Sequence, residues 1–258
     1  MNSNNIEATE ERVIGKEITL DEKDVKDFFD DRKNKKLPYR YNYVNYQDNH
    51  PEKVLVRDKI EKERITKYLS VNANDHVLDI GCGVGRWGDY IVPRLENGRY
   101  VGVDYTQYFI DLARQDFEND ERATFINGRF QELSSCLKQN GEFREYNRIL
   151  INGVLMYIND ADLCVSFEEV EKLAGPECMI YLRESVGVKK RLTLNKFYSE
   201  ELGARYSVIY RSISEYSSII SKHLLSKGFF ILACGPTWND GIDYSCETDN
   251  WYWIIQRA

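Results

Sequence analysis

The residues best suited to chemistry lie together near position 80. The run Val77-Leu78-Asp79-Ile80-Gly81-Cys82-Gly83-Val84-Gly85 joins a short apolar stretch to a helical pattern that begins near Trp87. Glycine lets a backbone turn sharply and lets a ligand approach with no Cβ in the way. The neighbours narrow the ligand. A P-loop requires Gly-Lys-Ser/Thr, and the run has none. Asp79 stands two residues before the first glycine, where its carboxylate repels the pyrophosphate that dinucleotide folds seat at this turn. The same carboxylate suits an ammonium group. A second apolar run ends in Gly102-Val103-Asp104, and Asp104 lies 19 residues beyond Gly85. An acid roughly 20 residues on, at the tip of the next strand, is placed to accept ribose hydroxyls. The ligand so outlined carries an ammonium and a ribose, and no phosphate.

These residues need a scaffold, and the flanking sequence supplies one. His76–Ile80, Tyr100–Val103, Ala123–Ile126, Asn147–Ile151 and Cys178–Leu182 are short apolar runs separated by helix-length segments. That alternation predicts βαβ units and a parallel sheet with helices on both faces. Phe229–Ala233 and Trp251–Ile255 are strand-like too, and the loop between them, with Gly235, Pro236 and Gly241, contains no helix. A closing antiparallel pair follows. The expected fold is therefore α/β and doubly wound, with a mostly parallel seven-stranded sheet whose last strand is antiparallel.

Two pieces lie outside this pattern. Residues 1–52 read as an N-terminal arm or lid ahead of a domain spanning 53–258. Its first 20 or so residues read as poorly ordered. Thr19 and Glu22 have capping-box spacing, and Val25, Phe28 and Phe29 give one apolar face to a short helix ending near Lys35. An aromatic segment follows, with Tyr39, Tyr41, Tyr43 and Tyr46. A second helix is predicted over Lys53–Leu69. The other piece, residues 185–226, reads as a mostly helical, substrate-capping insertion rich in Tyr, Ser and Arg. There Tyr206 and Tyr210, and Arg211 and Glu215, sit at i, i+4 and would share a helix face.

Composition excludes several classes. The 258 residues hold 35 basic and 42 acidic side chains, a net charge of −7. Nucleic-acid binders neutralise phosphates with clustered Lys and Arg, so a pI of about 5.2 argues against one. No uncharged apolar run approaches the roughly 18–20 residues of a membrane span. The polar start, Met1 to Glu10, lacks the basic and apolar regions of a signal peptide. Six scattered cysteines without a C-x-x-C, and three histidines, point to reduced thiols in a cytoplasm and to no metal site.

S-adenosylmethionine meets the outline of the ligand, and at this point the sequence resembles the class I S-adenosylmethionine-dependent methyltransferases, which are Rossmann-like. The likeness rests on the Asp79–Gly85 run, the Gly102-Val103-Asp104 run and Asn147–Gly153 as fourth strand and strand end, and it covers about Lys53 to Ala258. It implies S-adenosylmethionine as cofactor and S-adenosylhomocysteine as product. By position, Gly81, Cys82 and Gly83 would pass beneath the methionine and ribose, with Asp79 bonding directly or through water. Asp104 would take the ribose hydroxyls and Tyr105 would lie against the adenine. After strand three the family often has an acid near the adenine amine. Arg129 stands there instead, which leaves Phe130 or Gln131 for that place. Asn152 and Gly153 end strand four, where donor and acceptor usually meet, with Tyr157 just beyond.

The acceptor side is read from position relative to the sheet edge. A general base is needed when the acceptor is a hydroxyl or an ammonium. His50 and Glu184 are the candidates, with Tyr43 or Tyr210 as orienting donors. Arg183, Tyr206, Tyr210 and Arg211 join Tyr157 as candidate acceptor contacts. Arg57, Arg64 and Lys53 read as a solvated helix face, although an N-terminal arginine could reach the cofactor carboxylate. The expected reaction is methyl transfer to N or O of a small polar acceptor such as a sugar, an amine or a natural-product intermediate. Two alternatives stand beside it. One is a peptide acceptor, since the chain also resembles protein N-terminal α-amino methyltransferases. The other is a non-catalytic module that holds the cofactor as an effector.

Overall fold

Period-two alternation along one strand decides where the first acid points. In the computed structural model, which describes residues 11–45, 47–242 and 244–258, the chain begins with β1 (Arg12–Ile14), α1 (Glu22–Asp31) and α2 (Glu52–Leu69). Then come β2 (His76–Ile80), α3 (Gly88–Ile91), β3 (Arg99–Asp104), α4 (Gln107–Asp116), β4 (Ala123–Asn127) and α5 (Leu133–Gln139). They are followed by β5 (Tyr146–Asn152), α6 (Leu163–Leu173), β6 (Ala174–Gly187), β7 (Leu192–Ser199) and β8 (Ala204–Tyr210). The chain closes with α7 (Ile213–His223), β9 (Phe229–Pro236) and β10 (Thr248–Arg257). Along β2, Leu78 and Ile80 face a core cluster with Leu133, Phe167 and Ile220 from α5, α6 and α7. Val77 faces the opposite cluster with Ile65, Ile91 and Ala113 from α2, α3 and α4. Asp79 shares the face of Val77, because successive side chains of a strand alternate.

Seven strands form one sheet in the order β4-β3-β2-β5-β6-β10-β9. The neighbours from β4 to β6 pair in parallel, and β10 runs antiparallel to both β6 and β9. The order reverses between β2 and β5, and open α/β sheets bind ligands at the carboxyl ends of strands flanking such a switch. Among the described residues no helix is long and apolar enough to cross a membrane.

The arm and the insertion depart from their sequence readings, and they meet. Residues 12–14 are not loose: β1 pairs antiparallel with β7, and Ile14 packs on Leu192, Leu194 and Val208. The helix starts at Glu22 with Asp21 as its cap, the Asp21 carboxylate accepting the Lys23 N–H at 2.9 Å. Leu20 is held from outside, by the Asn159 side chain, which accepts from its N–H at 2.8 Å and donates to its carbonyl at 3.1 Å. Residues 1–10 and Tyr46 lie outside the described residues. The insertion is a hairpin, β7 against β8, followed by α7, so its first half is strand and not helix. Leu192 and Leu194, and Tyr206, Val208 and Tyr210, recur at period two, which suits a strand buried on one face. Tyr206 and Tyr210 still share a face, because four is also a multiple of two. Arg211 and Glu215 do not pair. Arg211 bonds Asp160 at 2.8 Å, and Glu215 closes the capping box of α7 with Ser212 and pairs with Arg191 at 3.2 Å.

Candidate active site

The glycine run forms a tight loop between β2 and α3. Gly81 and Gly83 have φ of +70° and +53°, the left-handed region that other residues avoid. A Cβ at Gly81 would collide with Val154, and one at Gly83 with Val44. The Gly81 N–H donates to the Val103 carbonyl at 2.7 Å, tying the loop to β3. Two cavities flank it, one of about 180 Å³ and one of about 440 Å³. They share Val44, Gly81, Asn152, Gly153 and Tyr157.

The smaller cavity is aromatic, with the acids Glu22, Asp104 and Asp162 in its lining. Tyr105, Phe130 and Gln131 line it from the strand ends, and Val25, Lys26 and Phe29 of α1 cover it. Phe29 sets its ring edge-on against both Tyr105 and Tyr157, at 5.7 and 4.9 Å. Asp104 accepts one N–H on each oxygen, from Gly83 at 2.9 Å and Thr106 at 2.8 Å. A carboxylate offers about four acceptor sites, so lone pairs remain for two hydroxyls. Burial raises the Asp104 carboxyl above its usual range, against the pull of these N–H groups. Arg129 pairs with Glu22 of α1 at 2.6 Å, and both line the cavity. An acid is therefore present beside Arg129, but it comes from the arm.

The larger cavity is polar and charged. Asp79 lines it together with Cys82, Arg86 and Trp87. Tyr100 donates to the Asp79 carboxylate at 2.5 Å, yet burial dominates and pushes this acid up to about 7. Arg86, only 4% exposed, pairs with Asp58 at 2.6 Å and Glu61 at 2.9 Å, both on α2. Glu61 also pairs with Arg183 at 3.4 Å and accepts from the Tyr181 hydroxyl at 2.7 Å. Those cations hold the Glu61 carboxyl down at about 2 although it is buried. Arg57 stacks on Trp238, its guanidinium 4.7 Å from the ring centre. Arg64, seven residues on along α2, donates to the Pro236 and Asn239 carbonyls at 2.9 and 2.8 Å. It thereby holds the loop that carries Trp238.

All nine residues expected at the cofactor line one cavity or both: Gly83, Asp104, Tyr105, Phe130 and Gln131 the smaller, Asp79 and Cys82 the larger, Gly81 and Asn152 both. Of the expected acceptor contacts, Tyr157, Arg183 and Tyr210 line the larger cavity. Five expectations are corrected by position. His50 is exposed at the turn before α2, 3.9 Å from Glu52, and lines neither cavity. Tyr43 turns away and donates to the Lys35 carbonyl at 3.0 Å. Glu184 is fully buried and accepts the N–H groups of Val154 and Leu155 at 2.9 Å and of Met156 at 3.2 Å. It pins the loop after β5 and has no cavity wall to work on. Tyr206 packs under the arm against Phe28, bonding Tyr210 hydroxyl to hydroxyl at 3.3 Å. Arg211, fully buried, donates to the Leu155 and Ile158 carbonyls at 2.7 Å.

Sequence reasoning did not assign Arg86, Trp238, Asp249 or the covering residues of α1 to the site. The i, i+7 spacing of Arg57 and Arg64 was a signal that two cations leave one helix face toward the sheet edge. Asp249, which also lines the larger cavity, gave none, because it is the second residue of β10 and is placed only by pairing with β6.

The residues present fit S-adenosylmethionine. The glycine cradle bars a Cβ, Asp104 keeps spare acceptors at an aromatic slot, and a buried acid stands on the other side of the loop. The comparisons agree. Residues 78–180 match a family model described as a methyltransferase domain. Among curated proteins no sequence matches the chain. Solved structures share the fold at low identity. A SAM-dependent methyltransferase from Leishmania major superposes with a TM-score of 0.63 and 13% identity, over 90% of this chain and 82% of that one. Phosphoethanolamine N-methyltransferase 1 of Haemonchus contortus, solved with phosphoethanolamine and S-adenosylhomocysteine, gives 0.66 and 15%, over 91% of this chain and 48% of that one. The [4+2]-cyclase SpnF gives 0.57 and 11%, over 91% and 93%. Residues 78–180 thus match a methyltransferase domain, and the seven-stranded sheet that completes it has the fold that these S-adenosylmethionine-dependent methyltransferases share.

Proposed function

We propose that the protein transfers a methyl group from S-adenosylmethionine to a nitrogen or oxygen of a small polar acceptor seated in the larger cavity. The observation that carries this reading is the seam between the cavities. Gly81, Asn152, Gly153 and Tyr157 border both, so a cofactor with its adenosine under α1 turns its sulfur toward the polar side. The bound cofactor supplies a methyl group already activated on a sulfonium. The protein then mainly aligns the partners, a contribution worth several kcal/mol.

Each side chain has a part in that alignment. Asp104 takes the ribose hydroxyls, and Tyr105, Phe130 and Phe29 enclose the adenine. Asp79 faces the amino end. Glu184 acts at one remove, holding the three N–H groups that shape the wall at residues 154–156. The arm closes the cofactor side through α1, and the insertion reaches the acceptor through Tyr210. A cavity of about 440 Å³ suits a metabolite, since small-molecule sites run from roughly 300 to 1,000 Å³.

The test is incubation with isotopically labelled S-adenosylmethionine and a cell extract separated into metabolite, protein and nucleic-acid fractions. Labelled methyl in the metabolite fraction is the expected result. Label confined to the amino ends of proteins would favour the peptide reading. Tight cofactor binding without label in any fraction would favour the non-catalytic one.

A further inference from the structure

We propose that the acceptor is a zwitterion, its anionic group held by Arg57 and Arg183 over Trp238 and its amine facing Asp249. The inference rests on the acceptor reading above and adds the chemical class.

Within the ion pairs at this cavity cations outnumber carboxylates, Asp79 standing outside them on the Tyr100 hydroxyl. Lys62, Arg86 and Arg183 share two carboxylates, Asp58 and Glu61, so one positive charge is left over. Arg57 adds a second, and among the described residues it enters no ion pair. Both guanidiniums lean on one indole, Arg57 at 4.7 Å and Arg183 at 5.8 Å from the Trp238 ring centre. Cation–π contact holds such groups in place but does not neutralise them. Burial, with repulsion from Arg183, lowers the Arg57 pKa against the pull of Glu201 and Asp249. Two like charges are kept together at a cavity wall when an anion completes the set, and guanidinium matches carboxylate or phosphate through paired N–H donors. The Nε of Arg183 faces Glu61 at 3.4 Å and one terminal nitrogen donates to Asn250 at 3.1 Å, which fixes the guanidinium at this wall.

The opposite charge is close by. Asp249 lines the same cavity. Its Oδ1 accepts from the Asn250 N–H at 2.7 Å, while its Oδ2 is buried with no partner. A buried unpaired carboxylate oxygen is costly, and an ammonium would satisfy it. Asn250 is itself fixed, accepting from Arg183 at 3.1 Å and Ser185 at 3.2 Å. Transfer then balances as follows. The bound ammonium gives one proton to Asp249, and the freed lone pair forms the N–C bond. The C–S bond breaks with its electron pair staying on sulfur, which leaves a neutral thioether and a methylated ammonium.

The experiment is calorimetric titration of the S-adenosylhomocysteine-loaded protein with small probes. β-Alanine and phosphoethanolamine carry both charges, ethanolamine only the amine, acetate and inorganic phosphate only the anion, and glycerol neither. At least one of the two zwitterions should bind ten times or more tighter than every singly charged or neutral probe. Arg57→Gln and Asp249→Asn should each weaken that zwitterion at least tenfold, with S-adenosylhomocysteine affinity held within twofold. Equal binding of a neutral or singly charged probe, or absence of zwitterion binding at millimolar concentration, would overturn the proposal. So would a loss of S-adenosylhomocysteine affinity in Arg57→Gln, which would assign that arginine to the cofactor carboxylate. Failure of the wild-type protein to bind S-adenosylhomocysteine would instead overturn the cofactor reading beneath it.

Discussion

Cofactor affinity should depend on pH through Asp79. This acid is 2% exposed. Burial raises it to about 7, with Asp104 and Glu61 pushing the same way and the Tyr100 hydroxyl and Arg86 pulling back. An ammonium placed beside it by S-adenosylhomocysteine favours the ionised form, so the ligand binds the deprotonated protein. With the carboxyl titrating near 7, about a tenth of the molecules are ionised at pH 6 and about nine-tenths at pH 8, so apparent affinity rises about tenfold across that interval. Isothermal titration at pH 6, 7 and 8 in buffers of different ionisation enthalpy reads both the affinity and the protons released. Close to one proton should leave per ligand at pH 6 and almost none at pH 8. Asp79→Asn should abolish the slope and bind weakly throughout. A flat profile in the wild-type protein, or an unchanged slope in Asp79→Asn, would refute the placement of the amino end beside this carboxylate.

Other residues give sharper single outcomes. Asp104→Ala removes two hydroxyl contacts to a charged acceptor, and S-adenosylhomocysteine affinity measured by calorimetry should fall roughly 100-fold. Glu184→Ala leaves three buried N–H groups unpaired, and chemical denaturation should show a loss of about 3 kcal/mol. Glu184→Gln should retain single-turnover transfer, whereas a general base at that position would lose it. Arg32, 1% exposed, pairs with Asp48 at 2.9 Å and donates to the Asn42 and Tyr43 carbonyls at 2.6 and 2.8 Å. Arg32→Ala should cost about 3–5 kcal/mol in urea unfolding. The ligand-free protein should also lose stability with rising pH. Asp79 and Glu184 both have carboxyls raised to about 7 by burial, so their contribution is complete below the ordinary carboxyl range and is lost as pH passes 7. Between pH 6 and pH 8 the two together amount to about 3 kcal/mol, and Asp79→Asn should halve the slope.

The parts legible in sequence were those with local grammar. β2 was read at its observed bounds, His76–Ile80, because an apolar run followed by glycines leaves one interpretation. Asp79 and Asp104 were legible because strand ends and loop spacing fix their places. The insertion was misread because a strand at period two and a helix at i, i+4 both bring Tyr206 and Tyr210 to one face. β1 owes its existence to the β7 edge, about 180 residues away in sequence, and no local pattern announces it. The base candidates failed for a similar reason. His50 and Glu184 lie near the sheet edge in sequence terms, but one is turned to solvent and the other is consumed by three backbone donors. Arg57, Trp238 and Asp249, which line the larger cavity, come from a helix, a loop and a strand start assembled only by folding.

The central claim is that the cofactor lies across the glycine loop with its sulfur at the seam of the two cavities. The structure of the S-adenosylhomocysteine complex tests it most directly. The account predicts the ribose on Asp104, the adenine against Tyr105 and Phe130 in the cavity that α1 covers, and the sulfur between Gly81, Gly153 and Tyr157, facing Asp249 across the open larger cavity. Adenosine found in the larger cavity, or a sulfur walled off from Arg57, Arg183 and Asp249, would contradict it.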